Sequence, residues 1–156
     1  MTGVPLDLGR PIDSKPPFKF AAFTRVGFSD TDAQGIVYYG RYLPYFDLAR
    51  VEYLRQLDLL RPPELRDDEF VMRACGIEYL APAVFDDVID IYIRLARLGR
   101  TSATFECAAY RVPDDVLMVT ATQTLVLVDL EERRAVPIPD GYRERVRAFE
   151  GDDLEA

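Results

Sequence analysis

Apolar and polar residues alternate along several segments of the chain and recur with helical spacing in one. Residues 18–28 alternate and are rich in phenylalanine, which predicts a first strand. Between residues 41 and 57 apolar side chains recur every three or four positions, which predicts an amphipathic helix with Pro44 in its first turn. Four more strands and a short closing helix are predicted, at residues 69–81, 84–98, 101–112, 115–129 and 139–149.

Turn residues separate the predicted strands. Gly99 predicts a tight hairpin, and Pro113 with the two aspartates after it predicts another. One strand, one helix and a four-stranded meander predict an α+β fold in which an antiparallel sheet curls around a central helix. We expect a proline-rich, extended arm over residues 1–17, a single domain over residues 18–150 and an acidic tail over residues 151–156.

The predicted long helix has an unusually broad apolar surface. One face carries an aromatic and aliphatic stripe, and three more apolar residues widen it, so we expect the helix to be mostly wrapped by other parts of the fold. The stripe consists of Tyr42, Phe46, Ala49, Tyr53 and Leu57, and the widening residues are Leu43, Val51 and Leu54. On the polar side, Asp47 and Arg50 have the spacing of an ion pair.

Composition excludes several classes of function. The chain of 156 residues has a net charge of −8, which argues against nucleic acid or an anionic membrane as a partner. It contains no histidine, which excludes a Ser-His-Asp triad, a Cys-His pair and the usual zinc or non-haem iron sites. Acid–base chemistry must therefore come from other side chains.

The two cysteines and the hydropathy pattern give further expectations. Cys75 and Cys107 lie among small apolar residues and are expected to be buried rather than paired or metal-bound. No apolar stretch approaches the ~20 residues that span a bilayer, and the N-terminus lacks the pattern of a signal peptide. We therefore expect a cytoplasmic protein with no membrane partner.

The segment FSDTDAQGIVYYGRYLPYFDLARVEY, residues 28–53, carries the candidate chemistry. Asp30 and Asp32 precede Gly35 and the helix start, where free N–H groups and positive partial charge can hold an anionic oxygen. A calcium loop is excluded, because its twelfth position would be Arg41 instead of a glutamate. An aspartyl-phosphatase fold is excluded by the lack of repeated strand–helix units. Without context, the two acids would be read as caps of a turn and a helix.

This segment resembles the hotdog-fold acyl-CoA thioesterases of the 4-hydroxybenzoyl-CoA thioesterase type. The resemblance is specific over residues 28–54 and looser over about residues 18–130, and Gly99 to Phe105 is similar to the second landmark of the family, near the CoA arm. It implies a hotdog fold, an acyl-CoA substrate, no cofactor other than the CoA of the substrate, and no metal. It also implies a homodimer or homotetramer with active sites between subunits.

The resemblance implies roles for individual residues. Asp32 is the expected catalytic carboxylate, either as a nucleophile or as a general base that orients water. The backbone amide of Tyr39 is the expected oxyanion-hole donor, with Gly35 letting the chain approach the ligand. Asp30 is expected to bond the turn backbone.

The hairpin beyond the second strand of the meander is the candidate CoA contact. Its polar residues would meet the phosphates or the pantetheine arm, with the active site of one subunit facing the hairpin of another; an ordinary polar hairpin rim is the alternative. These residues are Arg97, Arg100, Thr101 and Ser102.

The sequence is compatible with two other functions and does not identify the acyl group. The chain could hydrolyse thioesters of an acyl carrier protein, or it could be a non-catalytic acyl-binding module. The aromatic residues Phe28, Tyr38, Tyr42 and Tyr45 could line an acyl pocket or belong to the core.

Overall fold

The computed structural model describes residues 7–156, in which seven strands form one antiparallel sheet. The strand order is β1-β2-β4-β5-β6-β3, and β7 pairs with β6. A long helix, α1, crosses one face of the sheet, which confirms the predicted α+β architecture of a sheet around a central helix. The strands are β1 (Gly9–Pro11), β2 (Phe20–Arg25), β3 (Glu69–Tyr79), β4 (Val88–Leu98), β5 (Ser102–Val112), β6 (Val116–Asp129) and β7 (Arg134–Ala135); the helices are α1 (Tyr42–Gln56) and α2 (Asp140–Glu150).

Helix α1 packs its predicted stripe against the sheet. Phe46, Ala49 and Tyr53 are fully buried, facing alternate residues of β4 such as Ile91 and Ile93. The expected wrapping is incomplete within one chain, because Leu43 and Val51 remain 40% and 36% exposed. One side of the helix is therefore uncovered.

Two predicted strands begin later or end sooner than the alternation suggests. Strand β2 ends at Arg25, because residues Phe28–Asp30 form a 3-10 turn. Strand β4 begins at Val88, because the Asp87 carboxylate accepts a hydrogen bond from the Val84 amide and closes a turn. Local side-chain bonds to the backbone, which alternation does not reveal, set both limits.

Both ends of the described chain add to the sheet. Strand β1, within the predicted arm, pairs with β2; residues 1–6 of that arm lie outside the described residues. In the predicted acidic tail, the Glu155 backbone bonds to Ala96 and Leu98 at the end of β4.

Strand β3 is an edge strand with little cover. It pairs with β6 on one side only, and most of its residues are exposed. The expectation for Cys75 is wrong, since this cysteine is exposed where α1 does not cover β3. Cys107, in the middle of the sheet, is buried as expected, and burial raises the pKa of its thiol to about 12.

Helix α2 anchors a buried carboxyl group at its last residue. Glu150 is 1% exposed and accepts hydrogen bonds from the Tyr53 hydroxyl and the Leu95 amide. This contact joins α1, α2 and β4.

Neither helix, nor any other helix within residues 7–156, is long and apolar enough to cross a membrane.

Candidate active site

Asp32 lies in a tight turn that precedes α1. The turn is closed by the Gly35 amide donating to the Asp32 carbonyl at 3.0 Å and by the Asp32 amide donating to the Ile36 carbonyl at 2.9 Å. The Gln34 amide donates to Asp32 Oδ1 at 2.8 Å, so the carboxylate is oriented by its own turn. Within residues 7–156, the other carboxylate oxygen accepts no hydrogen bond and is available for chemistry.

Gly35 is required by the backbone conformation of this turn. Its φ is +81°, in the region that side chains disfavour, while a β-carbon at this position would meet no atom within 4 Å. Glycine therefore shapes the turn that holds Asp32, and it does not itself line the cavity next to Asp32.

A cavity of about 380 Å³ lies beside Asp32. Tyr39, which starts a 3-10 turn leading directly into α1, lines the same cavity. The first amides of such a turn have no acceptor within the turn, so the Tyr39 N–H is a candidate donor at this cavity. The cavity is lined by Asp32, Gln34, Ile36, Val37, Tyr39, Tyr42, Tyr79, Leu80, Ala81 and Pro82.

The far wall of this cavity comes from the end of β3 and was not predicted. The Tyr79 hydroxyl donates to the Tyr39 carbonyl at 2.9 Å, which links β3 to the turn before α1. Backbone bonds from Val37 to Ala83 and from Leu80 to Met118 hold this wall in place. The only sequence signal was Pro82 after a strand, which marks a strand end but not its neighbours.

Asp30 organises the segment around Asp32, as expected for a structural acid. Its carboxylate accepts hydrogen bonds from the Gly27 amide, the Tyr45 hydroxyl and Arg41, and its carbonyl accepts from the Tyr38 amide. Burial alone would raise the pKa of Asp30, but the bonds from Tyr45, Gly27 and Arg41 outweigh it and lower the pKa. Asp30 is thus a carboxylate tied to the start of α1.

The four aromatic residues that could line an acyl pocket are found in three places: the Asp32 cavity, the core and the surface. Tyr42 is 2% exposed and lines the Asp32 cavity, and Tyr45 is buried against Asp30. Tyr38 and Phe28 are 42% and 79% exposed and do not line that cavity.

The candidate CoA residues lie at the opposite end of the sheet from Asp32. The Asp32 segment adjoins the start of β4, where the Val26 amide donates to the Asp87 carbonyl, whereas Arg97 is near the end of the same strand. A strand rises ~3.3 Å per residue, so about 30 Å separates these ends. One chain therefore does not bring Asp32 together with Arg97, Arg100, Thr101 and Ser102.

The hairpin is closed by hydrogen bonds to its backbone and carries exposed cations. The Gly99 amide donates to the Ser102 carbonyl at 2.8 Å, and Arg143 of α2 donates to the carbonyls of Gly99 and Arg100. Arg100 is exposed, and the Arg97 side chain is 63% exposed with Glu155 at 3.9 Å. Among the residues that the structure describes, no group of three or more acidic or thiol side chains is arranged to hold a metal ion.

Comparison with known proteins identifies relatives over most of the chain. The model of a family described as the thioesterase-like superfamily matches residues 26–146. The acyl-CoA thioesterase YbgC of Haemophilus influenzae is 32% identical over 122 residues, covering 77% of this chain and 88% of that protein.

Solved structures agree with this match. A hypothetical protein from Aquifex aeolicus has a TM-score of 0.73 and 30% identity over 81% of this chain and 98% of its own. A thioesterase from Thermus thermophilus, solved with coenzyme A and zinc, has a TM-score of 0.69 and 30% identity over 83% of this chain and 94% of its own. The hotdog fold implied by the sequence is thereby confirmed.

Proposed function

This chain belongs to the thioesterase-like superfamily and is a thioester hydrolase; we propose that it hydrolyses acyl-CoA to a free acid and CoA at Asp32. The observation that carries the proposal is the cavity that Asp32 and Tyr39 both line, where a carboxylate held by its own turn meets the 3-10 turn that precedes α1. This substrate class is supported by the YbgC relative, which is an acyl-CoA thioesterase, and by the Thermus thioesterase, which was solved with coenzyme A.

In the proposed reaction, the Asp32 carboxylate either attacks the thioester carbonyl, which expels CoA thiolate and forms a mixed anhydride that water then hydrolyses, or takes a proton from a water molecule whose oxygen attacks the carbonyl and expels CoA thiolate. Both routes end in a free acid and CoA. The Tyr39 amide then donates to the developing oxyanion, aided by the positive end of α1. A thiolate is a good leaving group, so the reaction needs neither a histidine nor a metal ion or cofactor, and we expect full activity after treatment with EDTA.

We further propose that two chains pair through their β3 edges, as a homodimer or as half of a tetramer. The unpaired edge of β3 is an open template for another strand, and exposed apolar residues surround it. A two-fold axis perpendicular to the sheet pairs the same edge of both copies, and the two β3 strands then run antiparallel. The exposed residues are Leu43 and Val51 of α1, Val71, Met72 and Tyr79 of β3, and Leu80 just after it.

Such pairing supports a site that two subunits share. A two-fold axis perpendicular to the sheet turns the Asp32 end of one copy toward the hairpin end of the other. Arg97, Arg100, Thr101 and Ser102 would then contact the phosphates or the pantetheine arm of a substrate cleaved by the partner's Asp32. The exposed guanidinium groups would offset the overall negative charge locally.

A direct assay tests the proposed activity. Release of free thiol from acyl-CoA substrates is compared with release from the same acyl groups on an acyl carrier protein, and binding of both is measured by calorimetry. We expect turnover of acyl-CoA with the higher kcat/KM. Preference for the carrier protein would make the chain a carrier-protein thioesterase, and tight binding without turnover would make it an acyl-binding module; either result overturns the proposal.

A further inference from the structure

The end of β3 brings one aromatic side chain against the 3-10 turn that begins at Tyr39. Ile77 packs against the core, and side chains two residues apart on a strand share a face, so Tyr79 points to the side of the sheet that carries α1. Its ring lies 5.8 Å from the ring of Tyr42 and 6.4 Å from the ring of Tyr39. Tyr79 therefore lies between an edge strand and the start of α1.

Three successive residues before α1 are tied to separate parts of the fold. The amides of Val37 and Tyr38 donate to the carbonyls of Ala83 and Asp30, both at 2.9 Å. The Tyr39 amide has no acceptor within its turn, and in the proposed reaction it must stay available for the substrate oxygen. This residue can therefore be held only through its carbonyl group or its side chain.

The hydroxyl of Tyr79 supplies this missing tie. It donates to the Tyr39 carbonyl at 2.9 Å, from a position 40 residues further along the chain. On the other side of Tyr39, the Arg41 amide donates to the Tyr38 carbonyl at 2.8 Å. Because peptide groups are planar, bonds at these two carbonyls fix both peptide groups that flank Tyr39, including the direction of its N–H.

The Tyr79 hydroxyl keeps its proton at neutral pH. Burial, followed by the nearby Cys75 and Tyr39, raises the pKa of Tyr79 above its ordinary value of 10.0. The hydroxyl hydrogen is committed to the Tyr39 carbonyl. Tyr79 is thus suited to hold the backbone and not to exchange protons with a substrate.

We propose that Tyr79 is a positioning residue for the oxyanion hole. Its hydroxyl holds the Tyr39 carbonyl so that the Tyr39 amide stays directed at the Asp32 cavity, where the thioester oxygen gains negative charge during attack. A donor that is already in place needs no reorganisation as this charge develops, so the hydrogen bond favours the transition state over the bound substrate. This inference rests on the proposed thioesterase activity at Asp32.

Removing the hydroxyl alone tests the inference. Tyr79→Phe keeps the ring contacts with Tyr39 and Tyr42 and is assayed with whichever of acetyl-CoA, octanoyl-CoA and benzoyl-CoA the wild type turns over fastest. We expect kcat to fall between about tenfold and a hundredfold, with KM within about twofold of wild type and the same pH dependence of kcat. The melting temperature and the oligomeric state should match those of wild type.

A second tyrosine provides the matched control. Tyr110 packs on Tyr92 at 5.4 Å and lines a groove on the face of the sheet opposite α1, away from the Asp32 cavity. Tyr110→Phe removes the same hydroxyl group and should leave both kcat and KM unchanged.

Amide NMR of the free protein tests whether the effect lies in the turn. The Gly40 nitrogen belongs to the peptide group whose carbonyl loses its hydrogen bond in Tyr79→Phe. We expect the Gly40 and Tyr39 amide resonances to shift in this variant and to stay in place in Tyr110→Phe. Unmoved resonances in Tyr79→Phe would overturn the inference.

The kinetic outcomes separate this inference from the proposed function. Wild-type kcat in Tyr79→Phe would overturn the inference alone, and so would a rise in KM as large as the fall in kcat, which would indicate a substrate contact. Loss of one limb of the pH profile would make the hydroxyl a proton donor, and dissociation of the subunits would assign it to the interface; both results also overturn the inference. Absence of acyl-CoA turnover in the wild type would instead overturn the proposed function.

Discussion

At the scale of residues, the two acids before α1 have different tasks because their partners differ. Within residues 7–156, the Asp32 carboxylate bonds only inside its own turn, whereas the Asp30 carboxylate bonds to Tyr45 and Arg41, which lie beyond the turn. The sequence predicted a structural role for Asp30, since an acid in a turn commonly bonds the backbone. It did not predict that Tyr45 and Arg41 donate to the Asp30 carboxylate, because the rotation of the helix and the direction of each side chain decide which residue contacts Asp30.

Replacing Asp30 by asparagine should therefore destabilise the fold in a pH-dependent way. A lowered pKa means that the carboxylate stabilises the fold above its ordinary pKa of 3.8, and that this contribution is lost as the pH falls through the lower, folded value. Asp30→Asn should lower the free energy of unfolding by about 1–3 kcal/mol at pH 7, and the difference in this free energy between variant and wild type should shrink toward pH 3. Urea unfolding at both pH values measures this.

The matched control is Asp67→Asn, since Asp67 is exposed and has no resolved hydrogen-bond partner within residues 7–156. Its free energy of unfolding should stay close to that of wild type at both pH values. If the difference in free energy of unfolding between wild type and Asp30→Asn stays constant over this pH range, the role assigned to the Asp30 charge is contradicted.

At the scale of elements, periodicity predicted the helices and strands well but not what covers them. Alternation identifies the buried face of β4, yet β3 shows a similar mixture of residues and is mostly exposed, because its position at the sheet edge depends on pairing. The expected burial of Cys75 failed for this reason. The contact between α2 and α1 was not predicted either, because Glu150 and Tyr53, which form it, are 97 residues apart in the sequence.

The buried Glu150 carboxyl gives a prediction about α2. Burial raises its pKa despite the bonds from Tyr53 and Leu95 and the nearby Lys19 and Arg94. A raised pKa means that its stabilising contribution is present below the ordinary value of 4.5 and is lost as the pH rises through the folded value. Glu150→Gln keeps both hydrogen bonds without a charge, so its stability relative to wild type should rise between pH 4 and pH 7.

Thermal unfolding of wild type and Glu150→Gln across this pH range measures the effect. Glu150→Ala is the comparison, because it leaves the Tyr53 hydroxyl and the Leu95 amide without their acceptor and should cost about 2–3 kcal/mol. A Glu150→Gln variant whose stability relative to wild type falls as the pH rises would show that Lys19 keeps the carboxylate charged and favourable.

At the scale of the whole molecule, the two groups of residues proposed to form the site do not meet within one chain. Asp32 lies at one end of the sheet, and the hairpin arginines lie at the other. The resemblance led to the expectation of a site between subunits, but local sequence patterns carry no information on the partner. The uncovered β3 edge and the bare side of α1 are the structural reasons to expect one.

Pairing through β3 can be detected with the native Cys75. This exposed cysteine lies near the middle of the strand, so antiparallel pairing places it close to Cys75 of the partner subunit, within disulfide reach. Mild oxidation should yield a covalent dimer on a non-reducing gel, and Cys75→Ser should abolish it while the buried Cys107 contributes nothing. A dimer in solution that resists cross-linking through Cys75 would point to a different interface.

The turnover of Asp32→Asn tests the central claim most directly. Asparagine keeps the shape of the side chain and can still accept the Gln34 amide bond, but it can neither attack a thioester nor take a proton. We predict that kcat for acyl-CoA falls by at least about a thousandfold, with the melting temperature and substrate binding unchanged. An Asp32→Asn enzyme that turns over acyl-CoA at the wild-type rate would contradict the assignment of Asp32 as the catalytic carboxylate.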